Sequence, residues 1–182
     1  MRAFLALRIS EEIESKALEV NLELQKRQFE ASWTKSGHFH VTLLFLGEKT
    51  PAYVQTLNGI LEKNLQFTPF ALETDRLGVF KKSGKPSVCW LGIKKHGAFS
   101  ALAAELNRLL SPLQTEPIDT ENTHITIGRF KKAPDNWLEI VRQIEIPSMI
   151  FTVRQVWLYK SVLTAQGPEY TCLGKYNRNE AT

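Results

Sequence analysis

Residues 4–9 form a short apolar run that predicts a strand, and Ser10 after it suits a helix N-cap. Glu11 and Glu12 then favour the positive end of a helix dipole. Ile13, Ala17, Val20 and Leu24 keep helical spacing and predict a helix to about Phe29. Residues 39–46 alternate as a strand, stopped by Gly47. Thr50-Pro51 opens a second helix, expected to reach about Leu65, because proline suits the first helical position. Residues 70–80 predict a strand with a break at Gly78, and residues 81–86 a loop. The later half repeats this order, with a strand at 88–93, an Ala/Leu-rich helix at 98–110 closed by Pro112, and a strand at 122–130. A weaker helix is expected at 134–144 and a strong strand at 150–159. A short strand at 170–173 should follow a Gly167-Pro168 turn.

Both halves therefore read strand–helix–strand–helix–strand. This internal duplication predicts an α+β fold of two pseudo-symmetric lobes, each a mainly antiparallel sheet backed by helices, with a groove between them. At 182 residues the chain is expected to be a single domain of two intertwined lobes, with the key strands near 38–46 and 122–130.

The second strand of each half carries the same tetrapeptide, His40-Val41-Thr42-Leu43 and His124-Ile125-Thr126-Ile127. Strand side chains repeat with period two, so His40 shares a face with Thr42, and His124 with Thr126. The opposite faces, Phe39, Val41, Leu43 and Phe45 in one strand and Ile125 and Ile127 in the other, are expected to be core. Two such pairs facing each other supply two proton-transfer groups and two neutral hydrogen-bond donors around one small anion. That arrangement suits opening a phosphodiester without a metal. His38 reads either as a supporting partner of His40 or as a solvent-exposed residue, and His96 as uninvolved. Three imidazoles, His38, His40 and His124, are a conceivable metal set, but the accompanying threonines are poor zinc ligands and no carboxylate accompanies either motif. No metal and no cofactor are expected.

A net charge of +4 is compatible with a polyanionic substrate. Lys81, Lys82 and Lys85 cluster in the expected loop, Lys94 and Lys95 end a strand, and Arg129, Lys131 and Lys132 follow the second motif. They read either as contacts to a polyanionic substrate or as solubilising surface charge. No apolar run reaches the roughly 18–20 residues of a membrane span. The acidic residues after Ile9 argue against a signal peptide. Cys89 and Cys172, far apart, read as reduced thiols, and the expected location is cytoplasmic.

The paired motifs resemble the two-histidine (2H) phosphoesterase superfamily. The resemblance is closest to its RNA 2′,3′-cyclic phosphodiesterase, or 2′-5′ RNA ligase, branch. It extends to Arg2-Ala3-Phe4-Leu5-Ala6-Leu7, residues 38–48, Val88-Cys89-Trp90-Leu91-Gly92, residues 123–129 and Gly167-Pro168-Glu169-Tyr170. The resemblance implies hydrolysis of an RNA 2′,3′-cyclic phosphate to a 2′-phosphate, with His40 as proton donor and His124 as proton acceptor. Thr42 and Thr126 would bind the phosphate oxygens. Arg129 would add charge, although in a regular strand it faces away from His124; a bulge near Gly128, or an early strand end, is needed to turn it back. Phe45, Trp33 or Trp90 are candidates to stack on a base, Phe45 and Trp90 reading first as core. The expected partner is an RNA end, tRNA fragments among them, and the expected form a monomer. The alternatives are ATP-independent 2′-5′ ligation at the same site, and a nucleotide- or RNA-binding module without turnover.

Overall fold

The computed structural model describes residues 1–165 and 167–180. Among them the chain runs β1 (Arg2–Arg8), α1 (Glu11–Lys26), β2 (Glu30–Trp33), β3 (His40–Glu48), α2 (Pro51–Asn64), β4 (Phe70–Lys82) and β5 (Lys85–Ile93). It continues through α3 (Gly97–Leu110), β6 (His124–Lys132), α4 (Trp137–Gln143), β7 (Ile150–Val153), β8 (Val156–Thr164) and β9 (Gly167–Tyr176). Short 3-10 turns follow α3 and β9.

Local chemistry sets most boundaries. The Ser10 hydroxyl accepts from the Ile13 amide at 3.4 Å, and Thr50 does the same for Tyr53 at 3.2 Å, satisfying amides that lack helical partners. The first helix ends at Lys26, short of Phe29. Gln28 takes a left-handed φ of 66°, and the Phe29 amide turns back to the Leu24 carbonyl at 3.1 Å. The freed residues form β2, a strand that hydrophobic patterning does not reveal.

The strands order as β7-β4-β5-β6-β3-β1-β8-β9, with β2 also on β6. One lobe is β3, β1, β8 and β9; the other is β6, β5, β4 and β7. The sequence halves are thus not the spatial halves, because β4 crosses into the second lobe and β8–β9 returns to the first. The expected single strand at 150–159 is two strands, β7 pairing with β4 and β8 with β1. No break occurs at Gly78, and the final strand is ten residues long, beginning at Gly167. The expected helix at 134–144 is confined to α4. The expected lysine loop is a two-residue turn, Ser83 and Gly84, both with positive φ, as tight hairpins require. Lys81, Lys82 and Lys85 therefore stand on strands.

The lobes join through one antiparallel bridge, Val41 opposite Ile125. Both side chains are fully buried, in a core shared with Leu5, Leu7, the α1 stripe Ile13, Ala17, Val20 and Leu24, and Leu102 and Leu106 of α3. No helix among the described residues is long and apolar enough to cross a membrane.

Removing methyl groups at this junction should weaken the whole fold. Val41→Ala is expected to cost about 2 kcal/mol and lower Tm by several degrees. Val162→Ala, at a site 44% exposed, should change stability by less than about 0.5 kcal/mol. Calorimetry or a denaturant melt of both variants checks the pair; equal losses would contradict the placement of Val41.

Candidate active site

The register at the bridge fixes the arrangement of the motifs. With Val41 opposite Ile125, His40 lies beside Thr126, and Thr42 beside His124. All four point away from the core. His40 and His124 are then diagonal cross-strand neighbours, separated by on the order of 7–8 Å. Their charges sense each other, since a charge on His124 lowers the pKa of His40.

The two imidazoles are held in the same way. Nδ1 of His40 lies 2.7 Å from the His38 carbonyl, and Nδ1 of His124 lies 2.6 Å from the Asn122 carbonyl. A carbonyl only accepts, so each Nδ1 carries the proton and donates it. Each neutral ring consequently turns an unprotonated Nε2 outward. Aromatic neighbours hold the rings further. His40 stacks on Phe4 at 4.9 Å and meets the edge of Tyr170 at 5.6 Å. His124 meets the edge of Phe80 at 5.1 Å, with Trp90 at 6.2 Å. Gly78 is required here, because a Cβ on it would lie 2.3 Å from the Trp90 ring.

Burial is the main influence on His40 and holds it below its usual value, at about 4. The His38 carbonyl opposes this, while charge on His38 and His124 reinforces it. A depressed histidine disfavours its proton in the folded state. Its contribution to stability is therefore full above pH ~6.5 and declines as pH falls toward 4.

Beyond the bridge the two motif strands repeat one irregularity. In β3, Ala6 pairs with Thr42 and Leu5 with Leu44, so Leu43 bulges. In β6, Trp90 pairs with Thr126 and Cys89 with Gly128, so Ile127 bulges. Each bulge reverses the alternation. Phe45 and Arg129, both five residues after a histidine, are thereby brought round to the motif face. Phe45 is 69% exposed, which corrects the expectation that it packs in the core. Arg129 is exposed as well, and its turn comes from the bulge and not from an early strand end, since β6 runs on to Lys132.

A cavity of about 690 Å³ opens on this face. Its lining includes His38, His40, Thr42, Phe45, Thr126 and Arg129. Ser32 to Lys35 form one wall, and Thr164, Ala165, Gly167, Pro168 and Tyr170 contribute to the other. His124 is not in the lining; it sits across the motif strands, against Phe80 and Trp90. The Tyr170 hydroxyl is pushed up by burial, and the charge of Arg129 partly offsets this. Thr34 fastens the β2 wall to the second motif, its hydroxyl donating to the Thr126 carbonyl at 2.9 Å and its amide to the Ile127 carbonyl at 3.0 Å.

His38 is half-buried in this wall with its ring 4.8 Å from Tyr170, so its carbonyl supports His40 while its side chain reaches the cavity. His96 caps α3, its Nδ1 accepting from the Ala98 amide, and its ring stacks on Phe70 at 5.9 Å. Trp33 borders the cavity but packs over Gly128, whose missing Cβ would lie 2.7 Å from the indole. Among the described residues no three His, Cys, Asp or Glu side chains are grouped to hold a metal ion. Burial pushes the Cys89 thiol up to about 12, and both cysteines are free. Sequence reasoning missed Phe4, Phe80 and the two carbonyl tethers. The tethers leave no signal, because any residue type supplies a carbonyl.

A family model described as "2′-5′ RNA ligase superfamily" matches residues 12–164. A Thermotoga maritima protein named "RNA 2′,3′-cyclic phosphodiesterase" is 33% identical over 174 residues, 95% of this chain and 93% of the relative. A protein of the same name from Archaeoglobus fulgidus is 30% identical, covering 93% and 96%. The crystal structure of TT0787 from Thermus thermophilus shares the fold, with a TM-score of 0.75 at 23% identity and 97% coverage of both chains.

The histidine environments can be checked directly. In a proton NMR titration, His40 should titrate near pH 4 in the free protein. Its midpoint should rise when inorganic phosphate occupies the groove, because a neighbouring anion favours the charged form. A free-protein midpoint at the ordinary value near 6.5 would contradict the buried, carbonyl-tethered ring.

Proposed function

Because the chain belongs to the 2′-5′ RNA ligase superfamily, we propose that it hydrolyses the 2′,3′-cyclic phosphate of an RNA end to a 2′-phosphate, with His40 and His124 as the acid–base pair. One observation carries the proposal: two carbonyl-tethered imidazoles present Nε2 from neighbouring positions on strands joined in register. The names of the relatives support the substrate class.

Hydrolysis requires in-line attack by water, so that a P–O bond forms as the bond to the 3′-oxygen breaks. His124 Nε2 accepts the water proton, and His40 Nε2 delivers a proton to the departing 3′-oxygen. His40 is neutral in the empty groove at neutral pH, given its value of about 4. The anionic phosphate restores its affinity for a proton, so His40 becomes the acid as the substrate docks. Thr42 and Thr126 donate to the non-bridging oxygens, and Arg129 offsets the charge that builds there. Phe45 offers its exposed ring to the terminal base. No metal is needed in this scheme, because fixed donors and a guanidinium stabilise the charge.

The RNA ends of tRNA fragments fit the chemistry, and a monomer suffices, since every residue invoked comes from one chain. Ligation is the same displacement at the same phosphorus, with an RNA 5′-hydroxyl attacking in place of water and the 3′-oxygen again leaving, and the family description names it.

Phosphorus NMR of a nucleoside 2′,3′-cyclic phosphate, incubated with protein and EDTA, should show complete conversion to the 2′-phosphate. His40→Ala and His124→Ala should each slow turnover by about 10²–10⁴-fold or more. A 3′-phosphate product would reverse the assigned leaving group. Loss of activity with chelator, restored by a divalent metal, would overturn the metal-free scheme.

A further inference from the structure

Resting on the cyclic-phosphate reading above, we propose that Lys82, Lys85 and Lys131 form a subsite for the RNA backbone upstream of the terminal nucleotide. A cavity of about 690 Å³ is the size of a small-molecule site, with room for a terminal nucleoside and not for a polymer. The remaining RNA must leave it past one wall or the other. The wall at the β8–β9 hairpin offers Thr164, Ala165, Gly167 and Pro168, with Leu163 exposed beside them, and no cation. The opposite side carries Arg129 and Lys131. A polyanion leaves on the cationic side.

Strand geometry extends that side across the second lobe. Arg129 pairs with Val88, and Val88 with Phe80, so three neighbouring strands place these residues in one row about 10 Å wide. Phe80 touches His124 and so lies on the groove face. Alternation along β4 puts Arg76, Gly78, Phe80 and Lys82 on that face, and the Trp90 ring over Gly78 agrees. Lys85 pairs with Lys82 and shares its side. Lys81 points the other way, its ammonium 5.5 Å from the ring of Trp137 on α4. The hairpin thus divides its adjacent lysines between two faces, and only one face leads to the groove.

The remaining cations of the sequence clusters are engaged elsewhere. Lys94 pairs with Glu73, Lys95 with Glu121, and Lys132 with Glu30 at 3.7 Å. Among the described residues Lys82, Lys85 and Lys131 have no ion pair, and all three are exposed. Their charge is therefore available to phosphates. Phe80 and Trp90, 5.1 Å apart between the histidine and these lysines, add an aromatic surface beneath the path.

The test compares Lys82→Ala/Lys85→Ala with Lys81→Ala on two substrates, a mononucleoside 2′,3′-cyclic phosphate and an oligoribonucleotide ending in the same group. The double variant should raise KM for the oligonucleotide about tenfold at low salt. The slope of log binding against log salt should fall by roughly 1.4, from about 0.7 per phosphate contact on a single strand. Its kcat/KM on the mononucleotide should stay within twofold, and Lys81→Ala should change neither substrate. Equal losses on both substrates, no loss on either, or the same effect from Lys81→Ala would overturn the subsite. Fluorescence anisotropy with an RNA bearing a terminal 2′-phosphate reads the subsite independently of turnover. A wild-type protein that binds this RNA through the lysines but hydrolyses no cyclic phosphate would therefore remove the catalytic reading alone.

Discussion

The bridge between Val41 and Ile125 is the constraint from which the groove follows. Burying these two side chains fixes the register of β3 against β6, and register in a half-buried sheet decides which face every neighbour takes. Slipping either strand by one residue would send a histidine and a threonine into the core and bring valine or isoleucine to the groove. The apolar face thus sets the chemistry of the polar one. Hydrophobic burial supplies the free energy, and the alternation of the strand converts it into the position of His40, Thr42, His124 and Thr126.

The duplication reaches deeper than the motif. Along both β3 and β6 the burial runs half-buried, buried, half-buried, buried, buried, exposed, beginning at the histidine. The doubled buried position is the bulge. It delivers an aromatic ring at Phe45 and a guanidinium at Arg129 from equivalent places in the two lobes. The pseudo-symmetry is therefore one of backbone geometry on which different chemistry has been placed. Likewise the carbonyls of His38 and Asn122 serve the two histidines identically, while their side chains differ: the His38 ring meets Tyr170, and the Asn122 amide donates to Asp119 at 2.9 Å.

Much of this was legible in the sequence. The helix starts at Ser10 and Thr50, the strands bearing the motifs and the outward face of His40, Thr42, His124 and Thr126 all follow from capping and period-two alternation. Other features depend on tertiary pairing and leave no local trace. Residues 150–159 carry continuous strand propensity, yet they split because their two ends pair with different lobes. β2 emerges only because Gln28 turns left-handed, without the glycine that usually marks such a stop. Phe45 alternates as a core residue until a bulge opposite β1 shifts its phase. Bulges are set by the partner strand, so one strand's own pattern does not reveal them. The lysines at 81, 82 and 85 were visible as a cluster, but which of them faces the groove required the hairpin.

One crystal structure would test the central claim most directly, that of the protein bound to a nucleoside 2′-phosphate, the product of the proposed reaction. Nε2 of His40 and Nε2 of His124 should each lie within about 3.2 Å of oxygens on the same phosphorus, with both Nδ1 atoms still on their carbonyls. A phosphate held by only one imidazole, with the other beyond hydrogen-bond reach, would contradict the account.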